Sequence, residues 1–182
     1  MNIPPIIPIY FFYGLAFFSM GLLVMLEGGR SSDARLRRAM RPLAAFGLVH
    51  AANEWLEMFD VIASQGGHIT PDWLSGVRLA MLAFSFISLA AFGSYLLAVS
   101  LKAWRLILLV PLGLEGIWVF GLIVLKGHYS LPILWDVSDV WTRSSLAAPA
   151  ALLAAIGLVI QQRVFRKAGL TSFGRDALWA AV

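Results

Sequence analysis

The stretch Leu79–Leu101, LAMLAFSFISLAAFGSYLLAVSL, carries no charged side chain from end to end. Wound as an α-helix rising about 1.5 Å per residue, it is longer than the roughly 30 Å hydrocarbon core of a bilayer. Two more charge-free runs, Ile3–Leu26 and Ser144–Gln162, have comparable length, and Leu106–Leu125 is broken only by Glu115. Hydrophobic residues make up 60% of the chain and charged residues 13%, where a soluble domain would carry about a quarter charged. These features predict an all-α integral membrane bundle of five transmembrane helices, at about 5–26, 42–62, 74–101, 106–125 and 144–162, forming a single transmembrane domain.

The first run reads as a retained span. No basic residue precedes it, it exceeds the usual length of a signal-peptide apolar region, and no small-x-small cleavage site follows. Span two is expected to start near Pro42, a residue suited to a first helical turn. Residues 163–182 form either a cytoplasmic tail or the beginning of a sixth helix. Arg175 and Asp176 lead into the apolar run Ala177–Val182, which reads as a truncated span or as an amphipathic end on the membrane surface.

The formal charge of +4 is distributed by topology. Arg30, Arg35, Arg37, Arg38 and Arg41 crowd the first connection, Lys102 and Arg105 the third, and Arg163, Arg166, Lys167 and Arg175 follow the fifth span. Only Arg78, Lys126 and Arg143 fall on the other side. Such a bias places the basic side in the cytoplasm and the N-terminus outside, with anionic lipid as the natural contact of the cations. The bilayer is the expected partner; no basic–aromatic pattern for nucleic acid occurs. There are no cysteines, which excludes disulfides, thiolate-bound zinc and iron–sulfur clusters. No nucleophile arrangement, phosphate-binding glycine loop, kinase motif or cyclase motif is present, so no enzymatic activity is expected of this region.

One span departs from the apolar pattern. His50, Asn53, Glu54 and Glu57 stand at i, i+3, i+4 and i+7, on one helical face. Glu115 lies near the middle of span four. A carboxylate at the bilayer centre costs about 2.5–3.5 kcal/mol on insertion scales, which argues for a ligand or proton site inside the bundle, between helices 2 and 4. His50, Glu54 and Glu115 could ligate a metal ion, share protons or hydrogen-bond an organic ligand. The plainer alternative is interhelical linkage, worth about 0.6–2 kcal/mol per contact. Haem is disfavoured, because His50 is the one histidine expected at depth; His68 and His128 fall in outer loops. Pro111 precedes Glu115 by one turn and Gly113 and Gly116 flank it, which suggests a kink or gate beside the acid. Arg78 is placed to pair with Glu57 or Asp60, or to extend to the surface. The segment Lys126–Arg143, with Trp135, Asp136, Asp139 and Trp141, reads as an outer connection holding an interfacial helix.

The succession Tyr13-Gly14-Leu15-Ala16-Phe17-Phe18-Ser19-Met20-Gly21-Leu22, a basic link, then Leu43-Ala44-Ala45-Phe46-Gly47-Leu48-Val49-His50 with Glu54-Trp55-Leu56 and Phe59, resembles the N-terminal multi-pass membrane region of bacterial sensor histidine kinases and diguanylate cyclases. The resemblance implies a sensory input domain in the bacterial cytoplasmic (inner) membrane. It also implies homodimeric assembly and cytoplasmic PAS and kinase or cyclase output domains in a longer chain. In that family a further histidine often stands where this chain has Asn53, and its absence speaks against a two-histidine metal or haem site. A subunit of a larger respiratory or photosynthetic complex, or a small cofactor-binding membrane protein, is the competing expectation.

Overall fold

The computed structural model describes residues 4–30, 34–69 and 71–167, and every regular element among them is helical. In chain order these are α1 (Ile6–Arg30), α2 (Ala34–Gln65), α3 (Asp72–Leu101), α4 (Leu106–Lys126), α5 (Leu131–Thr142), a π-helical turn (Arg143–Ala147) and α6 (Ala148–Lys167). Four stretches are long and apolar enough to cross a membrane: Ile6–Arg30, Asp72–Ala98, Leu106–Lys126 and Ile133–Arg163. Helix α2 falls outside that set because it carries both the basic residues before Pro42 and the polar stripe. The tail beyond residue 167, including Ala177–Val182, lies outside the described residues.

Burial is inverted relative to a soluble protein. Phe120 is 69% exposed and Leu108 68%, whereas His50, Asn53, Glu54, Ser85, Ser94 and Thr142 are buried. Apolar exteriors around polar interiors suit a lipid solvent, where each buried polar group must find a partner inside the bundle.

Helix α3 is the hub. It packs against α2, α4, α5 and α6, while α1 packs on α2 alone. Short connections make sequential helices neighbours, and both α2 and α4 are joined to α3 in this way. No Cα atom of α2 comes within 8 Å of one in α4, so the two helices expected to frame the site are not adjacent. One apolar cluster joins Phe46, Leu82, Ala83, Phe86 and Leu146; a second joins Ala39, Phe92, Leu96 and Ala154. Helix α1 approaches α2 backbone to backbone at Gly21 and Gly47. A Cβ added at Gly21 would stand 2.8 Å from the Leu48 nitrogen, so only glycine permits this crossing.

Two expected boundaries are revised. Pro42 lies inside α2, which begins at Ala34. A proline there removes one ladder hydrogen bond, and the helix runs through it. The last span does not begin at residue 144 either. The segment expected to hold an interfacial helix is helical, but it continues through the π turn into α6 as one rod. Inside that turn Ser144 and Ser145 donate to the carbonyls of Val140 and Trp141, at 2.8 and 2.7 Å. Side-chain donors thus serve carbonyls that irregular winding would otherwise leave short of partners.

Candidate functional site

The i, i+3, i+4 spacing brings His50, Asn53 and Glu54 to the buried face of α2, where they are 2%, 1% and 3% exposed. Aromatic rings surround His50, with Phe17 at 4.5 Å, Phe46 and Phe86 each at 5.3 Å, and Tyr13 at 6.1 Å between centroids. Its Nδ1 lies 3.2 Å from Ser85 Oγ on α3. Ser85 gives its one hydroxyl proton to the Leu82 carbonyl at 2.7 Å, so it can only accept from His50. The Nδ1–H tautomer follows, and Nε2 is left facing Glu54 Oε1 at 3.6 Å. In the neutral imidazole Nε2 is an acceptor, so the pair is balanced by one proton carried either by the acid or by the ring. At this separation Glu54 Oε1 has no hydrogen-bond partner among the described residues, and neither does Asn53 Oδ1. The Asn53 amide interacts with the Glu54 carboxylate.

One turn further along α2 the stripe opens into a charged network. Arg78 of α3 meets Glu57 at 2.8 Å through Nη2 and Asp60 at 3.1 Å through Nη1, which combines both pairings considered from the sequence. Tyr10 of α1 donates its hydroxyl to Glu57 at 3.0 Å. Glu57 therefore ties three helices together. On α5, Asp139 accepts from Arg143 at 2.7 Å. The Arg143 charge also acts on Glu54 and Glu57. Trp135 donates to Asp72 at 3.1 Å, joining the start of α3 to α5. Below, Trp118 of α4 donates to Thr142 at 2.8 Å and Trp141 donates to the Trp118 carbonyl at 3.1 Å.

Between α2, α3 and α5 these side chains enclose a cavity of about 520 Å³, with Asn53, Glu57, Asp60, Arg78, Trp135 and Asp136 on its wall. Exposed Asp136 and Val140 form part of the lining, so the cavity reaches the surface.

Glu115 does not join this group. It is exposed on α4, a helix separated from α2, and the three ligands suggested for a metal ion (His50, Glu54 and Glu115) do not converge. No set of three His, Asp or Glu side chains among the described residues is arranged to hold a metal. Gly113 and Gly116 face open space, with nothing within 4 Å of a Cβ added at either. Pro111 is buried within a helix that continues past it. His128 turns back on its own helix, 2.8 Å from the Val124 carbonyl.

Several members of the polar region were not singled out from the sequence as site residues. Ser85 belongs to a run of buried serines on α3, Ser85 and Ser88, whose i, i+3 spacing marks a polar line inside an apolar span. Asp136, Asp139 and Arg143 repeat at i, i+3 and i+7, which is helical spacing in a segment read as a connection. Tyr10 carries no pattern that distinguishes it from its aromatic neighbours.

No protein-family model, curated protein or solved structure matches this chain.

Proposed function

We propose that this chain is the membrane-embedded sensory input region of a bacterial signal-transduction protein, crossing the inner membrane five times with its N-terminus outside. The positive residues of the α1–α2 and α3–α4 connections then lie in the cytoplasm, and the cavity opens toward the exterior. The observation that carries the proposal is the ionisable interior of α2 set against a surface-reaching cavity whose wall is shared by three helices. A stimulus acts only through different affinities for two packings of the bundle. An occupant or proton that competes for Glu57, Asp60 or Asn53 alters the links between α2, α3 and α5, and thereby the positions of the cytoplasmic helix ends. Output domains joined to such ends, of the PAS, kinase or cyclase kind, would read that displacement.

The absence of native cysteines makes a direct test simple. Nitroxides on exposed positions 38 and 163 report the separation of α2 and α6 ends in vesicles by pulsed electron resonance. The distance distribution should shift between mildly acidic and mildly alkaline media, and Glu54→Gln should hold it in one state. Identical distributions for both proteins in all media would remove the sensory function.

Glu115 favours a second reading, membership in a larger membrane assembly. A carboxylate exposed on the apolar outer face of α4 is costly in lipid, about 2.5–3.5 kcal/mol at mid-depth, and a partner helix would relieve it. In the proposed homodimer a second copy of the chain supplies that helix, with Gly113 and Gly116 allowing close approach. Cysteines placed at position 116 should then crosslink between copies.

A further inference from the structure

We propose that the cavity between α2, α3 and α5 binds a small organic cation bearing N–H donors, a primary ammonium with an apolar or aromatic body. This deepens the sensory proposal and rests on it for its consequence, though the binding itself does not.

The charge of the wall comes first. Glu57, Asp60, Asp136 and Asp139 line the cavity against Arg78. Arg78 serves Glu57 and Asp60, and Arg143 serves Asp139. Four carboxylates face two guanidinium groups, so the lining keeps an excess of negative charge. Asp136 has no ion pair or hydrogen bond to a side chain among the described residues. A wall of this sign, inside a low-dielectric protein, concentrates cations.

Independent of the acids, Asn53 is 1% exposed, lines the same cavity and leaves Oδ1 without a hydrogen-bond partner. A buried carbonyl oxygen without a donor costs about 1–3 kcal/mol, and Oδ1 can only accept. The missing group is therefore a donor. Its amide nitrogen is already directed to Glu54, so an amide flip would exchange one unmet group for another.

The remaining lining selects the ligand class further. Trp135 offers an aromatic ring on the wall, and its N–H is already used by Asp72. An indole face beside carboxylates suits an alkylammonium, through both cation–π attraction and apolar contact. Leu79 and Val140 complete an apolar side. A bare metal ion would leave that side unused, and no three-ligand group exists to hold one. An organic cation uses both halves: N–H donors toward Asn53 Oδ1 and Asp136, and an apolar body toward Trp135, Leu79 and Val140.

The probe is 2-phenylethylammonium, titrated against the full chain in nanodiscs by calorimetry, with neutral 2-phenylethanol and calcium chloride as comparators. The ammonium should bind saturably, and the alcohol and calcium should not compete with it. Asp136→Asn, at an exposed position that folding does not depend on, should weaken binding about tenfold or more, as expected for a lost charge-assisted hydrogen bond. Asn53→Asp should instead tighten it. Equal binding of the alcohol, preferential binding of calcium, or unchanged affinity in Asp136→Asn would overturn the assignment. Absence of any binding would overturn it as well, while a pH-dependent distance shift between positions 38 and 163 would leave the sensory proposal standing. Ammonium binding with no such shift would uphold the site and remove its sensory role.

Discussion

Replacing Arg78 by Met tests whether the charged network holds α2 against α3. Arg78 meets two carboxylates, Glu57 at 2.8 Å and Asp60 at 3.1 Å, and all three side chains are about one-fifth exposed. An exposed pair would contribute about 0–1 kcal/mol, and breaking a fully buried pair costs about 3–5 kcal/mol. Exposure of one-fifth places this cluster nearer the buried limit, and two acids would be left uncompensated. Part of the loss is returned, because Arg78 Nε is buried without a hydrogen-bond partner and its removal recovers about 1 kcal/mol. The expected net destabilisation is about 2–3 kcal/mol. Reversible unfolding in mixed micelles, followed by circular dichroism, measures it. The triple variant Arg78→Met, Glu57→Gln, Asp60→Asn should recover most of the loss, since neutral amides need no counter-charge. A loss below about 0.5 kcal/mol for the single variant, or no recovery in the triple, would refute the reasoning.

Gly21→Leu should separate α1 from α2, because its Cβ would press on backbone atoms of Leu48 and Gly47 that cannot rotate away. A cost of about 1–3 kcal/mol and faster proteolysis of the α1–α2 link are expected. Trp118→Phe should destabilise by about 1 kcal/mol, since Thr142 keeps its own donor bond to Ser138 and loses only one accepted proton. Glu115→Leu should leave the monomer at least as stable as the parent and abolish crosslinking through position 116; undiminished crosslinking would show that the carboxylate plays no part in assembly.

How much of this was legible in the sequence depended on the range of the interactions. Helical periodicity is local, and it placed His50, Asn53 and Glu54 on one face without knowledge of any neighbour. Charge-free runs likewise revealed α1, α3 and α4. Helix adjacency is not local. Glu115 looked like a third member of the site because two helices of similar depth were taken as neighbours, whereas α3 packs between the polar face of α2 and the rest of the bundle. Pro42 looked like a start because proline is tolerated there, but α2 continues on its N-terminal side. The segment ahead of Arg143 looked like a loop because its aspartates and tryptophans suit an interface. Their helical spacing was the stronger signal, and serine donors allow the π turn to carry the helix onward. The partner of His50, Ser85, lay within the very run that declared the membrane fold, where a lone hydroxyl draws no notice among so many apolar side chains.

Thiol chemistry at the cavity wall addresses the polar interior most directly, since every cysteine introduced into this chain is unique. Leu79→Cys and Val140→Cys should react with a membrane-impermeant methanethiosulfonate added outside, and Phe120→Cys, on the lipid-facing side of α4, should not. A cationic reagent should outpace an anionic one at the two wall positions. Silence at positions 79 and 140, or equal rates for the two charges, would contradict an acid-lined pocket open to water.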